Sequence, residues 1–378
     1  MKIENSNEIK LWDLSDSNVY IKIKSSIREE LFSYLTKTNN GFRGLSKKVD
    51  VTFGYLFKLK KGFYFTSLIL LNKLLDICPE KKKKEFMMKI ENNIEEIKLG
   101  SRSLSIKNPK LPIKFSSILA RIAGHLCGDG GIRKDYIVYY TNSSSELLSQ
   151  FERDIKETLG EVKSGGFYNT IIKDVRTVTF PGIIGFFLTR LFGRQVGDLK
   201  HIPKLILDSD KFSKSLFLNA LFDDEGNVST TAYTISIKMA NKGIIEKVKE
   251  ILKEFEIKSG KISKTHDKHK TRYKFYISGK MNLIRFKEEI NFSHLEKREK
   301  LSFLTQKYQR YKFEEIKNLA INILKNNKDV TISELARKLN RKPSMRFKEH
   351  LFKLEKEGVI ISNIYNRLKF YNISNKVK

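Results

Sequence analysis

Two carboxylates are the residues of this sequence whose type and spacing could support chemistry. Asp129 stands near the end of the helix-like stretch IAGHLCGDG, residues 122–130, and Glu225 near the end of LNALFDDEG, residues 218–226. If the two helices pack side by side, both acids lie at carboxyl ends, where the helix dipoles are also negative. At about 6 Å, two such charges repel by roughly 3 kcal/mol at an effective dielectric of about 20. A cation is therefore expected between Asp129 and Glu225.

The expected cation has to match oxygen ligands. Hard carboxylate and carbonyl oxygens favour Mg²⁺, with Mn²⁺ as a substitute and Ca²⁺ as a non-catalytic occupant. The sequence has two cysteines, Cys78 and Cys127, which provide neither a zinc quartet nor a disulfide framework. The sequence thus predicts a magnesium-type site at the two acids.

Small residues on the two helices explain how the acids could approach each other. Gly124 and Gly128 are four residues apart and therefore share a helical face, and Ala220 and Asp224 occupy the matching positions of the second stretch. Small residues on one face let two helix backbones pack closely. Alanine and aspartate in place of small glycines are expected to loosen this contact slightly.

The regions that contain the two acids repeat each other. Each begins with the acid-bearing helix and runs helix, strand, strand, helix, strand, strand, helix, and the two acids are 96 residues apart. Leu148, Ile155 and Leu159 fall opposite Ile244, Ile251 and Phe255 at the same offset, so the second helices repeat their apolar faces. The repeat predicts two half-domains related by pseudo-two-fold symmetry.

Both acid-bearing stretches resemble the LAGLIDADG motif of homing endonucleases, and the repeat order resembles that of the single-chain members of this family. The resemblance covers roughly residues 112–310. It implies an α+β fold of two pseudo-symmetric αββαββα half-domains that form a saddle over DNA.

The resemblance also implies roles for individual residues. Asp129 and Glu225 would bind metal during hydrolysis of a DNA phosphodiester, and the backbone carbonyls of Gly128 and Asp224 would assist. A lysine near the end of the last strand often supports the attacking water in this family, and Lys280 is the candidate in the second half. The matching stretch of the first half, TFPGIIG, has no basic residue, which argues against symmetric cutting of both strands.

Polar residues on the predicted strands could face the DNA groove. In TISIKMA, apolar residues alternate with polar ones, so that one set can lie in the core and the other on the surface. The candidates for DNA contact in the two halves are Arg133, Lys134, Thr234, Ser236, Lys238, Arg272 and Lys274.

Two further units are predicted to flank the repeat. Residues 1–99 read as short amphipathic helices, typical of a helix-turn-helix unit whose third helix carries Lys58, Lys60 and Lys61, and residues 100–115 as a linker without a regular period. The half-domains take up residues 116–208 and 209–310. In residues 311–378, three helices and a hairpin follow the order of a winged helix, whose third helix would offer DNA Arg346, Lys348, His350 and Lys353.

Charge and hydropathy limit the class of protein. The 378 residues include 73 Lys and Arg against 43 Asp and Glu, which gives a net charge of +30. Such an excess favours a polyanionic partner, and nucleic acid is the commonest one. The amino terminus lacks an apolar signal core, and no apolar run is long enough to span a bilayer. We therefore expect a cytoplasmic protein without membrane contact.

These observations favour a monomeric, site-specific endonuclease for double-stranded DNA that depends on Mg²⁺ or Mn²⁺. The chain starts with Met1 and ends in NKVK, so the splicing residues of an intein are absent and a free-standing enzyme is expected. Two alternatives stay open. One is a transcription regulator that uses the same fold only to bind DNA, and the other is an RNA-splicing maturase with RNA as a partner.

Overall fold

The computed structural model of the protein describes residues 8–15, 18–165, 168–169, 175–267, 270–307, 313–339, 345–365 and 368–375. Three units follow one another along the chain: an amino-terminal unit, a pair of half-domains and a carboxyl-terminal unit. None of the helices in the described ranges is long and apolar enough to cross a membrane.

The amino-terminal unit combines five helices with a sheet. Its antiparallel sheet has the strand order β3-β2-β4-β5, and β1 pairs separately with β6. The elements are β1 (Glu8–Ile9), β2 (Val19–Ile23), α1 (Ser25–Thr38), α2 (Gly41–Val49), α3 (Phe53–Lys60), β3 (Thr66–Ser67), α4 (Leu68–Asp76), α5 (Glu80–Glu91), β4 (Ile94–Leu99), β5 (Ile106–Lys107) and β6 (Ile113–Lys114).

This sheet corrects the sequence analysis, which predicted helices alone for residues 1–99 and a linker without regular structure for residues 100–115. In β2, the apolar residues alternate and their side chains are buried, which is the pattern of a half-buried strand. Within the predicted linker, β5 pairs with β4 and β6 pairs with β1. The two short strands of this segment had too few residues to show a period of two.

The two half-domains have the same element order and sheet topology. The first contains α6 (Ser117–Cys127), β7 (Gly130–Ile132), β8 (Val138–Asn142), α7 (Ser145–Leu159), β9 (Tyr168–Asn169), β10 (Arg176–Phe180) and α8 (Gly182–Phe192), with the short helix α9 (Lys204–Leu207) leading onwards. The second contains α10 (Lys211–Glu225), β11 (Gly226–Ser229), β12 (Thr234–Met239), α11 (Lys242–Glu254), β13 (Ser263–Asp267), β14 (Lys270–Ser278), α12 (Lys280–Glu289) and α13 (Leu295–Lys307).

The strand orders β7-β8-β10-β9 and β11-β12-β14-β13 are equivalent, and every neighbouring pair is antiparallel. The predicted α+β fold of two αββαββα half-domains is therefore confirmed. Helices α6 and α10 pack against each other at the centre of the pair. One continuous apolar core extends from the amino-terminal unit through both half-domains.

The carboxyl-terminal unit has a separate apolar core. Its three helices are followed by a hairpin, as the sequence predicted, and a short strand that the sequence analysis missed completes a sheet of order β15-β17-β16. The elements are α14 (Phe313–Lys325), β15 (Val330–Thr331), α15 (Ile332–Lys338), α16 (Met345–Lys356), β16 (Ile360–Tyr365) and β17 (Leu368–Ile373). A capping box begins α15, since the Thr331 side chain accepts from the Glu334 N–H and the Glu334 carboxylate accepts from the Thr331 N–H.

Candidate active site

The packing of α6 against α10 depends on the glycines of the first motif. A Cβ at Gly124 would lie 2.4 Å from the carbonyl oxygen of Phe217 and 2.8 Å from the Cβ of Ala220. A Cβ at Gly128 would lie 2.5 Å from the Asp224 Oδ2 atom. The helices therefore touch along the face that the sequence predicted. Ala220 and Asp224 provide atoms that a Cβ on Gly124 or Gly128 would meet, and the slight loosening expected from these two residues stays a prediction.

Close packing brings the carboxylates of Asp129 and Glu225 into one electrostatic environment. The surrounding protein and the Asp224 carboxylate raise the pKa of Asp129 to about 6, although its side chain still reaches solvent. Burial, followed by the charges of Asp129 and Asp224, raises the pKa of Glu225 to about 7. Each acid thus resists ionisation until a cation offsets the shared negative charge.

The Asp224 side chain does not face the cleft. It is fully buried between the helices, where its carboxylate lies 3.1 Å from the His125 Nδ1 atom. The Tyr140 hydroxyl donates to it at 2.7 Å and the backbone N–H of Asp129 donates at 3.2 Å. Burial alone would lower the pKa of His125, but the Asp224 carboxylate raises it on balance. The Asp224 side chain therefore ties α10 to α6 and β8 behind the two acids.

Two lysines reach the helix ends from neighbouring segments. The Lys200 ammonium donates to the carbonyl oxygens of Gly128 at 2.6 Å and Gly130 at 2.7 Å. The Lys297 ammonium donates to the carbonyl oxygen of Asp223, and to that of Phe222 at 3.3 Å. Each lysine therefore binds backbone carbonyl oxygens at the end of one of the two helices, although not at equivalent positions. Part of the positive charge that the sequence analysis assigned to a metal ion is thus supplied by the protein.

Both lysines lie in surroundings that disfavour their charge. Burial lowers the pKa of each, and the acids Asp129 and Glu225 oppose this shift in both cases. The same two acids therefore act on both lysines, which places all four ionisable groups in one site.

Buried polar contacts hold each lysine in position. The Asp223 carboxylate accepts the backbone N–H groups of Ser293 and His294, both at 3.0 Å, directly before the helix that carries Lys297. Burial raises the pKa of Asp223 to about 6. Asn241 of the second half-domain donates to the carbonyl oxygen of Lys200 at 2.7 Å. Both lysines are therefore held through hydrogen bonds to their own backbone or to the start of their helix.

Lys280, the sequence candidate for the basic residue, begins α12 and has an exposed side chain. Instead, the charges of Asp129 and Glu225 act on Lys200 and Lys297. Sequence reasoning missed both lysines because it searched only the ends of the last strands. A signal was present: the two lysines are 97 residues apart, one residue from the offset between the two acids.

The oxygen atoms of the site fit a hard divalent cation. Asp129 and Glu225 offer carboxylates at the open end of the helix pair, while the proposed Gly128 carbonyl already accepts the Lys200 ammonium. In the described ranges, no group of three or more His, Cys, Asp or Glu side chains is arranged to hold a metal ion. Mg²⁺ is commonly held by one or two carboxylates together with water and substrate phosphate. The donor set therefore fits a metal that shares its coordination with a substrate.

The predicted surface residues of the two sheets separate into accessible and inaccessible ones. Arg133 and Lys134 are exposed in the turn between β7 and β8, and Arg272 is exposed on β14. The charge of Arg272 lowers the pKa of Glu225, although burial outweighs it. Thr234, Lys238 and Lys274 are half-buried, and the Lys274 ammonium lies 4.4 Å from the centre of the Tyr276 ring.

Ser236 is a correction among these residues, since it is only 4% exposed. It lies on the central strand β12, paired with Asn227 on one side and Tyr276 on the other. Directly opposed residues share a face of the sheet, and the short serine side chain lies below its longer neighbours. Alternation predicted the correct face, but it carries no information about the height of the neighbouring side chains.

In the flanking units, Lys58 is exposed and Lys60 is half-buried on α3, and Lys348 is exposed on α16. Arg346 lies in the same helix, but its side chain is outside the described residues. The Lys353 ammonium lies 4.1 Å from the centre of the Phe313 ring. The DNA contacts predicted for these residues stay predictions.

Two curated proteins match a large part of the chain. It is 23% identical over 303 residues to the isomerizing glutamine–fructose-6-phosphate aminotransferase of Methanocaldococcus jannaschii, a match over 78% of this chain and 26% of the relative. It is 28% identical over 223 residues to the replication factor C small subunit of Thermococcus kodakarensis, over 56% of this chain and 24% of the relative. The chain thus matches about a quarter of the length of each relative.

Two solved structures and one family model were also matched. The homing endonuclease I-DmoI in complex with DNA and Mn is 20% identical, with a TM-score of 0.34, over 46% of this chain and 96% of its own. Full-length WhiA from Thermatoga maritima is 14% identical, with a TM-score of 0.37, over 64% and 90%. Residues 213–291 match the model of the LAGLIDADG-like domain. This segment, which falls within the second half-domain, is therefore a LAGLIDADG-like domain, as the acid-bearing motifs predicted.

Proposed function

We propose that the chain is a site-specific endonuclease that hydrolyses phosphodiester bonds of double-stranded DNA with a divalent metal. The observation that supports this most strongly is the pairing of Asp129 with Glu225 at the open end of two packed helices. A carboxylate pair with raised pKa values is costly for the metal-free fold. Such a cost points to function, since neutral residues at these positions would make the metal-free fold more stable.

Asp129 and Glu225 would hold Mg²⁺ or Mn²⁺ between their carboxylates. A bound ion of this kind polarises the scissile phosphate and lowers the pKa of the attacking water. Because the described side chains provide two carboxylates and no third ligand of the usual types, phosphate oxygens would complete the coordination. DNA binding and metal binding are therefore expected to strengthen each other.

Lys200 and Lys297 would act beside the acids, one in each half. An ammonium has three N–H donors, and each lysine uses two on backbone carbonyl oxygens at a helix end. The third can stabilise charge that develops on a phosphate oxygen. Because the first half now has a cationic group of its own, the sequence-based reason for unequal cutting of the two strands no longer holds.

The surfaces around the site would hold the DNA. Exposed Arg133, Lys134 and Arg272 would contact phosphates or base edges near the cleft, and Thr234, Lys238 and Lys274 would contribute at the edges of their strands. The helix-turn-helix and winged-helix interpretations of the two flanking units would extend the contact along the duplex. The net charge of +30 predicts that binding weakens steeply as salt is raised.

The activities of the curated relatives are not proposed for this chain. One relative is an aminotransferase and the other a replication factor subunit, yet both match overlapping parts of the same chain. The shared segment is therefore tied to neither activity.

A second candidate is a regulator that binds DNA without cutting it. The observation in its favour is the Lys200 ammonium on the Gly128 carbonyl oxygen, which supplies positive charge where a metal ion would otherwise do so. The observation against it is that Asp129 and Glu225 are both present, although their raised pKa values make the metal-free fold less stable.

The test is cleavage of a randomised duplex library by the full chain with Mg²⁺ or Mn²⁺, next to Asp129→Asn and Glu225→Gln. Metal-dependent cuts at one enriched sequence, lost in both variants, are expected. Glu296→Gln is the matched control, because this exposed carboxylate adjoins Lys297 in sequence. Specific binding without cuts, unchanged in the two variants, would overturn the nuclease and leave the regulator.

A further inference from the structure

The outward face of α3 exposes aromatic rings. Phe53 is 50% exposed and Phe57 is 42% exposed, while Leu56 and Leu59 of the same helix are buried. Phe63 and Tyr64, just after the helix, are 72% and 46% exposed. Burial of one such ring is favourable by about 1.5–3 kcal/mol, and a ring exposed to water does not make this contribution to stability. Several exposed aromatic rings in one short segment are typical of an interaction site. We call these four aromatic residues, with Lys58 and Lys61, the α3 face.

The charge around the α3 face fits a polyanion. Residues 41–64 contain six cations against one acid, Asp50. The ammonium of Lys58 lies 5.4 Å from the centre of the Tyr64 ring, and that of Lys61 lies 5.8 Å from the centre of the Phe57 ring. Positive charge and aromatic surface are therefore presented together. An apolar protein partner would have to bury these cations without compensation, whereas nucleic acid would neutralise them.

Helix α3 is the second helix of a pair joined by a short turn. Helices α2 and α3 are joined by Asp50, Val51 and Thr52, where Asp50 has a φ of 56° and the Thr52 side chain caps α3. The Arg28 side chain donates to the carbonyl oxygen of Lys60 at 3.0 Å and fixes the end of the helix. Two helices joined by a turn of about three residues match the pair that inserts its second helix into the major groove.

The aromatic rings of the α3 face are held in place before any partner binds. The Phe53 and Phe57 rings are stacked, with centres 6.4 Å apart. The Phe42 ring on α2 packs edge-on against both, at 5.8 Å and 6.3 Å. Next to Phe53 in the helix, Gly54 leaves the surface open, since a Cβ there would have no neighbour within 4 Å. A base edge can therefore approach the helix backbone beside the two fixed rings.

We propose that the α3 face reads thymine methyl groups in the major groove of duplex DNA. This inference rests on the DNA-binding function proposed above and adds a base preference to it. Residues 53–64 contain no Arg, Asn or Gln, so that among the side chains that recognise guanine or adenine by paired hydrogen bonds they have only Lys58, Lys60 and Lys61. Phenylalanine rings complement an apolar group instead, and thymine alone among the four bases presents a methyl group in the major groove.

The test uses the full chain with the Glu225→Gln substitution, so that binding is measured without cutting. Duplexes enriched from a randomised library are remade with uracil in place of thymine, which keeps the base pair and removes the methyl group. We expect a block of flanking thymines whose replacement weakens binding about 5- to 20-fold, measured by fluorescence anisotropy. Phe53→Ala and Phe57→Ala should each reduce this thymine preference at least threefold, and Phe212→Ala, an exposed phenylalanine of α10, should leave it unchanged.

The outcomes separate this inference from the proposed function. Equal binding of thymine and uracil duplexes, or a preference that survives in both α3 variants, overturns the thymine inference while DNA recognition by the half-domains stands. Tighter binding of single-stranded than of duplex flanks, lost in the same variants, also overturns it in favour of base stacking. If the library yields no enriched site, the proposed function fails as well. Unchanged melting temperatures of the α3 variants confirm that these exposed substitutions leave the fold intact.

Discussion

The carboxyl ends of α6 and α10 carry similar groups on the side that faces the cleft and different groups behind it. Each presents one acid, Asp129 or Glu225, and its backbone carbonyl oxygens accept one lysine, Lys200 at the first end and Lys297 at the second. Behind this pair, the first end is rich in glycine, whereas the second carries Asp223 and Asp224. The difference shows that pseudo-symmetry is retained in the groups that can meet a substrate.

The two ends also complement each other. Gly128 leaves the space that the Asp224 carboxylate fills, with a Cβ at Gly128 only 2.5 Å from that carboxylate. In return, the backbone N–H of Asp129 donates to Asp224. A symmetric pair of glycines would leave this space empty, and a symmetric pair of aspartates would not fit.

The largest effect should come from neutralising either acid. Asp129→Asn and Glu225→Gln should each lower the cleavage rate at least about 1,000-fold on both strands, because a shared ion needs both carboxylates. Single-turnover assays on a duplex labelled on both strands measure this. Cleavage of one strand at the wild-type rate in either variant would show that the halves work independently.

A smaller effect should come from substitution of Gly124, because the two matching helix positions should differ in how a change of side-chain size affects stability. Gly124→Ala forces a Cβ against the Phe217 carbonyl oxygen and should lower the free energy of unfolding by about 2–3 kcal/mol. Ala220→Gly, at the matching position, should lower it by only about 1 kcal/mol. Chemical denaturation gives both values. Gly54→Ala, on an open helix surface, is the control and should raise stability by about 0.5–1 kcal/mol. Equal losses at the two matched positions would contradict the described packing.

The lysines test whether the halves contribute equally to the rate. Lys200→Met and Lys297→Met should each lower it about 30- to 100-fold, or about 2–3 kcal/mol, since an aimed cation is lost. DNA binding should change less than fivefold. Lys300→Met, on the same helix as Lys297 but paired with Glu296 at the surface, is the control. Lys280→Met decides between Lys297 and the sequence-based candidate: a large loss there would restore Lys280.

The smallest effect concerns pH and metal. Folding raises the pKa of Glu225 to about 7 and of Asp129 to about 6, so the metal-free folded state binds more protons than the unfolded chain between about pH 4 and 7. Its stability should therefore fall as pH rises through this window. Glu225→Gln should recover about 1–3 kcal/mol at pH 8. Stabilisation by Mn²⁺ should be larger at pH 8 than at pH 5.5, because metal competes with these protons.

Thermal unfolding at pH 5.5 and 8, with and without Mn²⁺, measures these changes. Glu246→Gln, an exposed carboxylate in an i,i+4 ion pair on α11, is the control and should leave the pH dependence unchanged. A metal effect that is the same at both pH values would contradict the assignment of the two acids as ligands.

The sequence was sufficient for the repeat, the helix pair and the two acids, because each rests on local periodicity or on a motif that occurs twice. Lys200 and Lys297 could not be found in this way, since they lie outside the strand ends and are brought in by tertiary contacts. The contact between His125 and Asp224 depends on which faces of two helices meet, and no spacing within one segment encodes it. In the amino-terminal unit, the two-residue strands were missed because two residues cannot show a period, whereas the alternation in β2 was present in the sequence and was overlooked.

The continuous core of residues 8–307 has a consequence for how far apart two DNA contacts can be. Since the amino-terminal unit and the half-domains share one apolar interior, they cannot shift past each other without disrupting that interior. Under the proposed function, the number of base pairs between the bases read by α3 and the phosphates at the acids would be fixed. The carboxyl-terminal unit, with its separate core, carries no such constraint. The amino-terminal unit would then contact DNA at a fixed distance from the cut, and the carboxyl-terminal unit at a variable one.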